Sequence, residues 1–291
     1  MSRPILEVRG LTKRYPGFAL EDVSLSVGAG RVMGFIGRNG AGKTTTLKAV
    51  LRFIRPDGGE VRFFGEDFRG REHEVMRRVS FSMGEVAFYP RRRLRTITDV
   101  YRRFFPLWDE RVYRDCLERF ELVEDKKIEA LSAGMRVKYG IALALSRRAE
   151  LLLLDEPTSG LDPLSRDDLL RELRELVDDT GVGLLFSTHQ MGDLEQIADD
   201  VTYLSRGRVR ASGTLEDFAA HYRMVSGPAE TVPSGLGSVL IGASRSRGRV
   251  TGLAEASRLG EAAVAGIRGL EVTPASLNDI IVHLERQEKQ S

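Results

Sequence analysis

The pattern of apolar and polar residues divides the chain into short buried strands separated by amphipathic helices. Apolar runs within 31–37, 150–157 and 181–189 are typical of strands buried on both faces of a parallel sheet. Residues 43–54 and 163–179 instead repeat apolar side chains at helical spacing. Because strands and helices alternate, the pattern predicts an α/β fold with a substantially parallel sheet.

The same pattern predicts further elements, which in chain order are strands over 5–9 and 23–36, a turn and short strand at 56–65, a charged helix over 70–79, a mostly helical and highly charged segment from 91 to 148, a helix over 193–201, and a hairpin over 201–213 with Arg206-Gly207 at its turn. No internal repeat and no low-complexity tract is visible.

The character of the chain changes after about residue 215. Residues 225–238 are rich in Gly, Pro and Ser and predict a loop or linker, and 239–253 predict a small β segment. Residues 273–287 predict a terminal helix that either Thr273 or Ser276 caps. We therefore expect a main domain over residues 1–214 and a C-terminal extension over 215–291, whose role is either packing, regulation or dimer support.

Composition narrows the class of protein. The chain has 291 residues, 42% hydrophobic and 30% charged, which favours a globular protein with a sizeable core. Its formal net charge of +2 gives no overall attraction to nucleic acid or to an anionic membrane. The single Cys116 excludes an internal disulfide. No apolar run is long enough to span a bilayer and the N-terminus lacks a signal-peptide core, so we expect a cytoplasmic protein whose membrane role comes through a partner.

A glycine-rich stretch follows the first buried strand. GRNGAGKT at 37–44 matches the phosphate-binding pattern G-x-x-x-x-G-K-[ST] at every fixed position. The glycines let several backbone N–H groups point into one concavity, and the next helix adds the positive end of its dipole. Lys43 supplies a charge for the β- and γ-phosphates, and the Thr44 hydroxyl is an oxygen ligand for Mg²⁺. The alternative, an ordinary glycine-rich turn before Lys-Thr, does not account for the buried strand and helix on either side.

Two adjacent acids end the strand over 150–157. The carboxyl ends of parallel strands line the ligand crevice of such sheets. Asp155 would therefore reach Mg²⁺ through water, and Glu156 would orient or deprotonate an attacking water. A solvated acidic turn is the plainer alternative, but the phosphate loop elsewhere in the chain favours the functional interpretation.

A third stretch, LSAGM at 131–135, gives these motifs a family context. The order of phosphate loop, LSxG, apolar strand with Asp-Glu, SGLD and a strand-end His resembles the ATP-binding cassette (ABC) ATPases over residues 5–213. The resemblance implies a P-loop NTPase fold: a RecA-like core, an N-terminal antiparallel β subdomain, and an inserted helical subdomain at about 86–145. It also implies ATP and Mg²⁺ as cofactors.

The resemblance assigns roles to individual residues. It implies that Tyr15 stacks on adenine, that Glu156 and His189 are catalytic, and that Mg²⁺ is held by Thr44 and Asp155. The nucleotide cradle would consist of Gly37, Arg38, Asn39, Gly40, Ala41, Gly42, Lys43, Thr44 and Thr45.

Two further motifs point beyond a single chain. The resemblance implies that Ser132, Ala133 and Gly134 contact the γ-phosphate held by an opposite subunit, since a helix N-terminus with a Ser hydroxyl suits an anion. It implies that Ser159, Gly160, Leu161 and Asp162 couple two opposed sites.

The chain departs from the family pattern in two places. Ala133 and Met135 replace the third and fifth residues of the usual LSGGQ motif, which we expect to preserve function. Near position 84 or 85, where the family normally has a Gln, the chain has Gly84 and Glu85; Glu85 is a further candidate Mg²⁺ ligand.

The single cassette, the acid-containing loop near Glu85 and the FYP that follows at 88–90 resemble the ATPase subunits of bacterial drug- or peptide-export systems, and this resemblance implies the ATP-hydrolysing subunit of an exporter. We expect a homodimer or heterodimer of cassettes, a separately encoded membrane permease, a location at the inner face of the cell membrane, and no nucleic-acid partner. The arginines at 91, 92, 93 and 95 either dock to the permease or lipid headgroups or form a solvated face. Two alternatives stay open: a soluble ABC ATPase that acts on DNA or ribosomes, and a regulatory or immunity cassette not coupled to transport.

Overall fold

The computed structural model describes residues 3–83, 89–230, 239–259 and 269–290. They fall into two compact units with the bounds Met1–Ser212 and Gly213–Ser291. Within the described residues, no helix combines the length and the apolar character that crossing a membrane requires.

The first unit begins with an antiparallel sheet. Its strands are β1 (Leu6–Tyr15), β2 (Phe18–Val27), β4 (Gly58–Phe63) and β5 (Glu66–Asp67), in the order β2-β1-β4-β5. The strand expected over 5–9 is longer than predicted, and the one expected over 23–36 is two strands, β2 and β3 (Val32–Ile36). β1 is longer than predicted because it continues to a tight turn at Pro16-Gly17, where Gly17 has a φ of 83° and Tyr15 pairs with Phe18. β2 and β3 are separate strands because the chain turns between them at residues 28–31, where Gly30 has a φ of 64° and its N–H donates to the carbonyl oxygen of Gly181 at 2.9 Å.

The second sheet of this unit confirms the predicted α/β fold. Its strands are β3, β6 (Val79–Met83), β7 (Leu151–Asp155), β8 (Gly183–Thr188), β9 (Asp200–Ser205) and β10 (Arg208–Thr214). They lie in the order β10-β9-β3-β8-β7-β6, and every neighbouring pair from β9 to β6 is parallel. Every residue of β3, β7 and β8 is buried.

The predicted hairpin turn at Arg206-Gly207 joins β9 to β10. Both residues have positive φ, 47° and 75°, as the common two-residue hairpin turns require.

The described residues of the first unit contain a short 3-10 helix (Ile128–Ala130) and seven α-helices: α1 (Lys43–Val50), α2 (Glu72–Arg78), α3 (Leu94–Phe104), α4 (Glu110–Arg119), α5 (Ala133–Ser146), α6 (Pro163–Thr180) and α7 (Met191–Ile197). The helix expected over 193–201 ends earlier, because the Asp199 carboxylate accepts a hydrogen bond from Val32 N and Asp200 already pairs with β3. A core cluster of apolar side chains from both sheets surrounds α1 and fixes the position of its first turn.

Over its described residues, the second unit is a four-stranded antiparallel sheet with two α-helices. In chain order its elements are α8 (Leu215–His221), β11 (Tyr222–Pro228), β12 (Ile241–Ser246), β13 (Arg249–Glu255), β14 (Glu271–Pro274) and α9 (Leu277–Gln290), with the sheet order β12-β13-β11-β14.

The prediction of a loop over 225–238 is wrong for its first residues. Residues 225–228 belong to β11, because Val225 is buried in the core of this unit and pairs with Gly252. Residues 231–238 lie outside the described part of the chain. Of the two candidate caps for the last helix, Ser276 accepts a hydrogen bond from Asp279 N at 3.1 Å, whereas Thr273 lies in β14.

Candidate functional site

The phosphate loop connects β3 to α1 at the carboxyl end of the parallel sheet. Its backbone admits only glycine at two positions. A Cβ on Gly37 would lie 2.4 Å from the carbonyl oxygen of Leu204. Gly42 has a φ of 112°, and a Cβ there would lie 2.8 Å from the Phe18 ring. The glycines of the motif are therefore required by the fold as well as by the approach of a phosphate.

Lys43, the first residue of α1, carries a buried charge. Its side chain is 4% exposed, and Nζ donates to the carbonyl oxygen of Gly37 at 2.6 Å. The same Nζ lies 3.0 Å from Oε1 of Glu156, which follows β7. A buried ammonium requires such anionic and carbonyl partners, and here they join the phosphate loop to the acidic strand end.

Thr44 and Asp155 bring two oxygen ligands together. Thr44 Oγ1 donates to Asp155 Oδ2 at 2.6 Å, and the hydroxyl of Ser187 donates to Asp155 Oδ1. No group of three or more His, Cys, Asp and Glu residues that could hold a metal occurs in the described ranges. Mg²⁺ needs no such cage, since it binds through one or two carboxylates together with substrate phosphates. The hard oxygens of Thr44 and Asp155 fit that mode.

Glu156 and His189 meet although they follow different strands. Glu156 has a φ of 51°, in the left-handed region, and its N–H donates to the carbonyl oxygen of Ser187 at 3.1 Å. This conformation accompanies a contact of 2.8 Å between Glu156 Oε2 and His189 Nδ1. Because an ionised carboxylate only accepts, Nδ1 carries the proton and the imidazole is held in one orientation. A positioned carboxylate beside an imidazole is suited to general base catalysis.

The phosphate loop and Glu156 line an open cleft of about 390 Å³, whereas Asp155 and His189 are not among the described residues that line it. Its walls are formed by Phe18, Arg38, Asn39, Gly40, Gly42, Lys43, Thr44, Thr45 and Glu156. Ala41 is buried beneath the loop. Seven of the nine predicted cradle residues thus line one cleft that also contains the predicted base.

The aromatic residue that lines the cleft is Phe18, whereas the sequence predicted Tyr15 as the aromatic contact of the nucleotide. Tyr15 is 42% exposed and is not among the described residues that line the cleft. Phe18, its pairing partner across the β1–β2 turn, does line the cleft. The ammonium of Lys13 lies 5.5 Å from the centre of the Tyr15 ring. Sequence reasoning missed Phe18; the signal was an aromatic residue directly after Pro16-Gly17, on the strand that approaches Gly42.

The LSAGM segment forms a helix N-terminus. Ser132 is the N-cap of α5, and its hydroxyl accepts a hydrogen bond from Met135 N at 3.2 Å. Ser132 is exposed and Gly134 is buried, with Ala133 between them at the first position of the helix. None of the three is among the described residues that line the phosphate-loop cleft of the same chain.

The SGLD segment, Ser159 to Asp162, directly precedes α6. Asp162 is its N-cap and accepts from Leu164 N and Ser165 N, each at 3.1 Å. The hydrogen bond from the Ser165 hydroxyl, followed by the backbone N–H groups, lowers the pKa of Asp162 below its ordinary value. Gly160 has a φ of 74°, which turns the chain, and a Cβ on Gly134 would lie 3.7 Å from the Leu161 side chain. The two motifs are neighbours within one chain. Glu85 lies outside the described residues.

Comparison with known proteins shows to which class of protein this chain is similar. The family model described as "ABC transporter" matches residues 20–159. The chain is 32% identical over 216 residues to the ABC transporter ATP-binding protein YcbN of Bacillus subtilis, a match that covers 73% of this chain and 70% of that protein. A solved structure described as the ATP binding subunit of an ABC transporter has a TM-score of 0.65 and 30% identity, covering 74% of this chain and 91% of that one.

Other relatives differ in the direction of transport that their names give. The Nod factor export ATP-binding protein I of Ralstonia nicotianae is 34% identical over 226 residues, covering 76% of this chain and 70% of that protein. The methionine import ATP-binding protein MetN of Cupriavidus pinatubonensis is 32% identical over 234 residues, covering 73% and 66%. This chain belongs to the ABC transporter ATP-binding proteins, and it is accordingly an ATP-binding ATPase.

Proposed function

We propose that the chain hydrolyses ATP as one half of a two-fold dimer and thereby drives export through a separate membrane permease. Each ATP would lie between the phosphate-loop cleft of one copy and Ser132 of the other. The observation that carries the dimer is that Ser132 caps an exposed helix N-terminus, a favourable anion site, yet does not line the cleft of its own chain among the described residues.

Within the cleft, the proposed roles follow from the contacts. Lys43 would bind the β- and γ-phosphates, because its charge is held at the phosphate loop by the Gly37 carbonyl oxygen. Glu156 would orient and deprotonate the attacking water, and His189 would hold the Glu156 carboxylate in place. Thr44 and Asp155 would hold Mg²⁺, which supplies charge neutralisation at the phosphate oxygens when bound.

The dimer explains how hydrolysis performs work. ATP bridges two copies, so it binds the closed dimer better than the separated chains and stabilises it. Hydrolysis at Glu156 removes that stabilisation, and the copies separate. A permease attached to both copies would convert closure and opening into substrate movement.

The dimer can be tested by light scattering of the purified chain with Mg²⁺ and ATP. Glu156→Gln should form a stable dimer in ATP and a monomer in ADP, because it binds ATP without releasing the closed state. Ser132→Arg should stay monomeric in both nucleotides, since a long cation occupies the contact. A Ser132→Arg chain that dimerises in ATP as Glu156→Gln does would contradict the shared site.

The permease and the direction of transport need a separate experiment. The names of the relatives include export and import, and we propose export from the resemblance of the single cassette to drug- and peptide-export subunits. The chain should co-purify with the multi-helix membrane protein encoded beside it, and ATP should drive the cargo into inverted vesicles that contain both. Equal binding to membranes without that protein would argue against the permease.

A further inference from the structure

A fully buried carboxylate lies in α7, outside the cleft described above. The Asp193 side chain is 0% exposed. Its Oδ2 accepts from the Thr158 hydroxyl at 2.7 Å and from the Thr188 hydroxyl at 3.2 Å. Its Oδ1 accepts from two nitrogens of Arg166, whose third nitrogen donates to the side-chain oxygen of Gln190. Both carboxylate oxygens are thus occupied by donors, as a buried charge requires.

The donors come from three segments that carry the proposed catalytic and coupling residues. Thr158 follows Glu156 by two positions, and Thr188 directly precedes His189. Arg166 lies in the first turn of α6, the helix that begins with the coupling loop. One carboxylate therefore joins the loop after β7, the end of β8 and the start of α6.

This arrangement bears on the contact between Glu156 and His189. Their hydrogen bond of 2.8 Å depends on the relative position of two loops that are 33 residues apart in sequence. A hydrogen bond from each loop to the same carboxylate fixes that relative position, and a displacement on the order of 1 Å lowers catalytic rates strongly. The Arg166 contact extends the same restraint to the coupling loop.

We propose that Asp193 is a positioning residue that holds Glu156, His189 and the start of α6 in their catalytic arrangement. The proposal rests on the proposed function, because it assumes that Glu156 and His189 hydrolyse ATP. Asp193 itself touches no cleft residue among the described contacts and acts through its neighbours.

The chain offers a matched control on the same helix. Arg174 of α6 pairs with Asp199 at 3.0 Å, so α6 is tied by an Arg–Asp pair at a second place. Asp199 accepts from Val32 N, at the start of β3, whereas the phosphate loop follows the other end of that strand. Neutralising Asp199 removes the same type of charge pair at the end of the sheet remote from the cleft.

The test compares Asp193→Asn with Asp199→Asn by steady-state ATP hydrolysis, at a temperature at which circular dichroism shows both to be folded. Asp193→Asn should lower kcat about tenfold or more and leave the KM for ATP within about twofold, because the cradle is untouched. Asp199→Asn should leave kcat within about twofold of wild type. If the role of Asp193 is purely structural, Asp193→Asn will lower the stability of the fold and leave kcat within about twofold of wild type, which would overturn the proposal.

Coupling to His189 provides a second readout. In a His189→Ala chain, adding Asp193→Asn should lower kcat by a smaller factor than it does in the wild-type chain, because one of the groups that Asp193 positions is already absent. Full additivity of the two losses would overturn the proposal.

Two references keep the outcomes distinct. Glu156→Gln, measured beside these variants, tests the proposed function. If Glu156→Gln hydrolyses ATP as fast as wild type, the proposed catalytic site is refuted. If Glu156→Gln is inactive but folded Asp193→Asn keeps the wild-type kcat, only the positioning role of Asp193 is refuted. If Asp193→Asn does not fold, Thr158→Val decides, since it removes one donor and keeps the buried charge pair. It should lower kcat about threefold to tenfold at unchanged KM, and a wild-type kcat overturns the proposal.

Discussion

The imidazole of His189 contacts the carboxylate of Glu156 at 2.8 Å, although the two residues end different strands of the parallel sheet. The other oxygen of the same carboxylate lies 3.0 Å from the ammonium of Lys43. One carboxylate therefore joins the phosphate loop to the strand-end histidine. This arrangement places the proposed base beside the lysine that would bind the terminal phosphate of a nucleotide.

The first prediction concerns Glu156→Gln. The amide keeps the shape of the side chain but is not a base, so kcat for ATP hydrolysis should fall by about a hundredfold or more. ATP affinity, measured by the fluorescence of a labelled nucleotide, should stay within about threefold of wild type because the glycine loop is unchanged. Glu150→Gln is the matched control: Glu150 directly precedes the same strand and pairs with Arg78 at its far end, and its kcat should not change.

The second prediction separates two aromatic residues on one hairpin. Phe18 lines the cleft, whereas Tyr15 is its partner across the turn and was predicted to stack on adenine. Loss of a base-stacking ring costs about 1–3 kcal/mol, so Tyr15→Ala should weaken ATP and GTP binding alike, by roughly fivefold to a hundredfold. If Phe18→Ala weakens binding in this way and Tyr15→Ala does not, Phe18 is the stacking residue. Phe104→Ala, at an exposed aromatic residue of α3, serves as the control.

The parts of the site that could be predicted from sequence are those whose chemistry is local. The phosphate loop requires glycine, lysine and threonine at fixed spacing, and the buried strands around it are continuous apolar runs. The carboxyl ends of those strands bring Asp155, Glu156 and His189 to one edge, as sheet topology requires. The N-cap role of Ser132 likewise follows from residue type and position.

The parts that were missed depend on contacts between distant residues. Residues 225–228 have a loop-like composition, and pairing with the neighbouring strands β13 and β14 makes them a strand. Phe18 reaches the cleft because β2 lies beside the phosphate loop, which no periodicity within β2 indicates. Asp193 gives no sequence signal either, since its donors lie up to 35 residues away. Such networks become visible only when the segments have been assembled.

The third prediction is a pH dependence of stability at Cys116. Burial raises the pKa of this thiol from its ordinary value of 9.0 to about 11. Between these two values the unfolded chain loses the proton and the folded chain keeps it, so stability is complete below about pH 9 and falls as pH rises toward 11. The slope reaches at most about 1.4 kcal/mol per pH unit. Urea unfolding of wild type and Cys116→Ala from pH 8 to pH 11 should show a difference in unfolding free energy that changes only above about pH 9.

The last prediction distinguishes the capping role of Ser132 from its proposed contact with a second subunit. Ser132→Ala removes the hydroxyl that accepts from Met135 N, so it should cost about 0.5–2 kcal/mol of stability and also lower hydrolysis. Thr214→Ala removes a comparable cap, in which Thr214 accepts from Asp217 N, and should lower stability without lowering hydrolysis.

Mixing Ser132→Arg with Glu156→Gln decides whether the contact is made between chains. Ser132→Arg alone should form no ATP-bound dimer, and a Glu156→Gln dimer lacks the base at both sites, whereas a mixed dimer places both substitutions at one site and leaves the other intact. Recovery of ATPase activity on mixing, up to about half of wild type per dimer, is therefore expected. A mixture no more active than its components would show that Ser132 does not act on the partner's nucleotide.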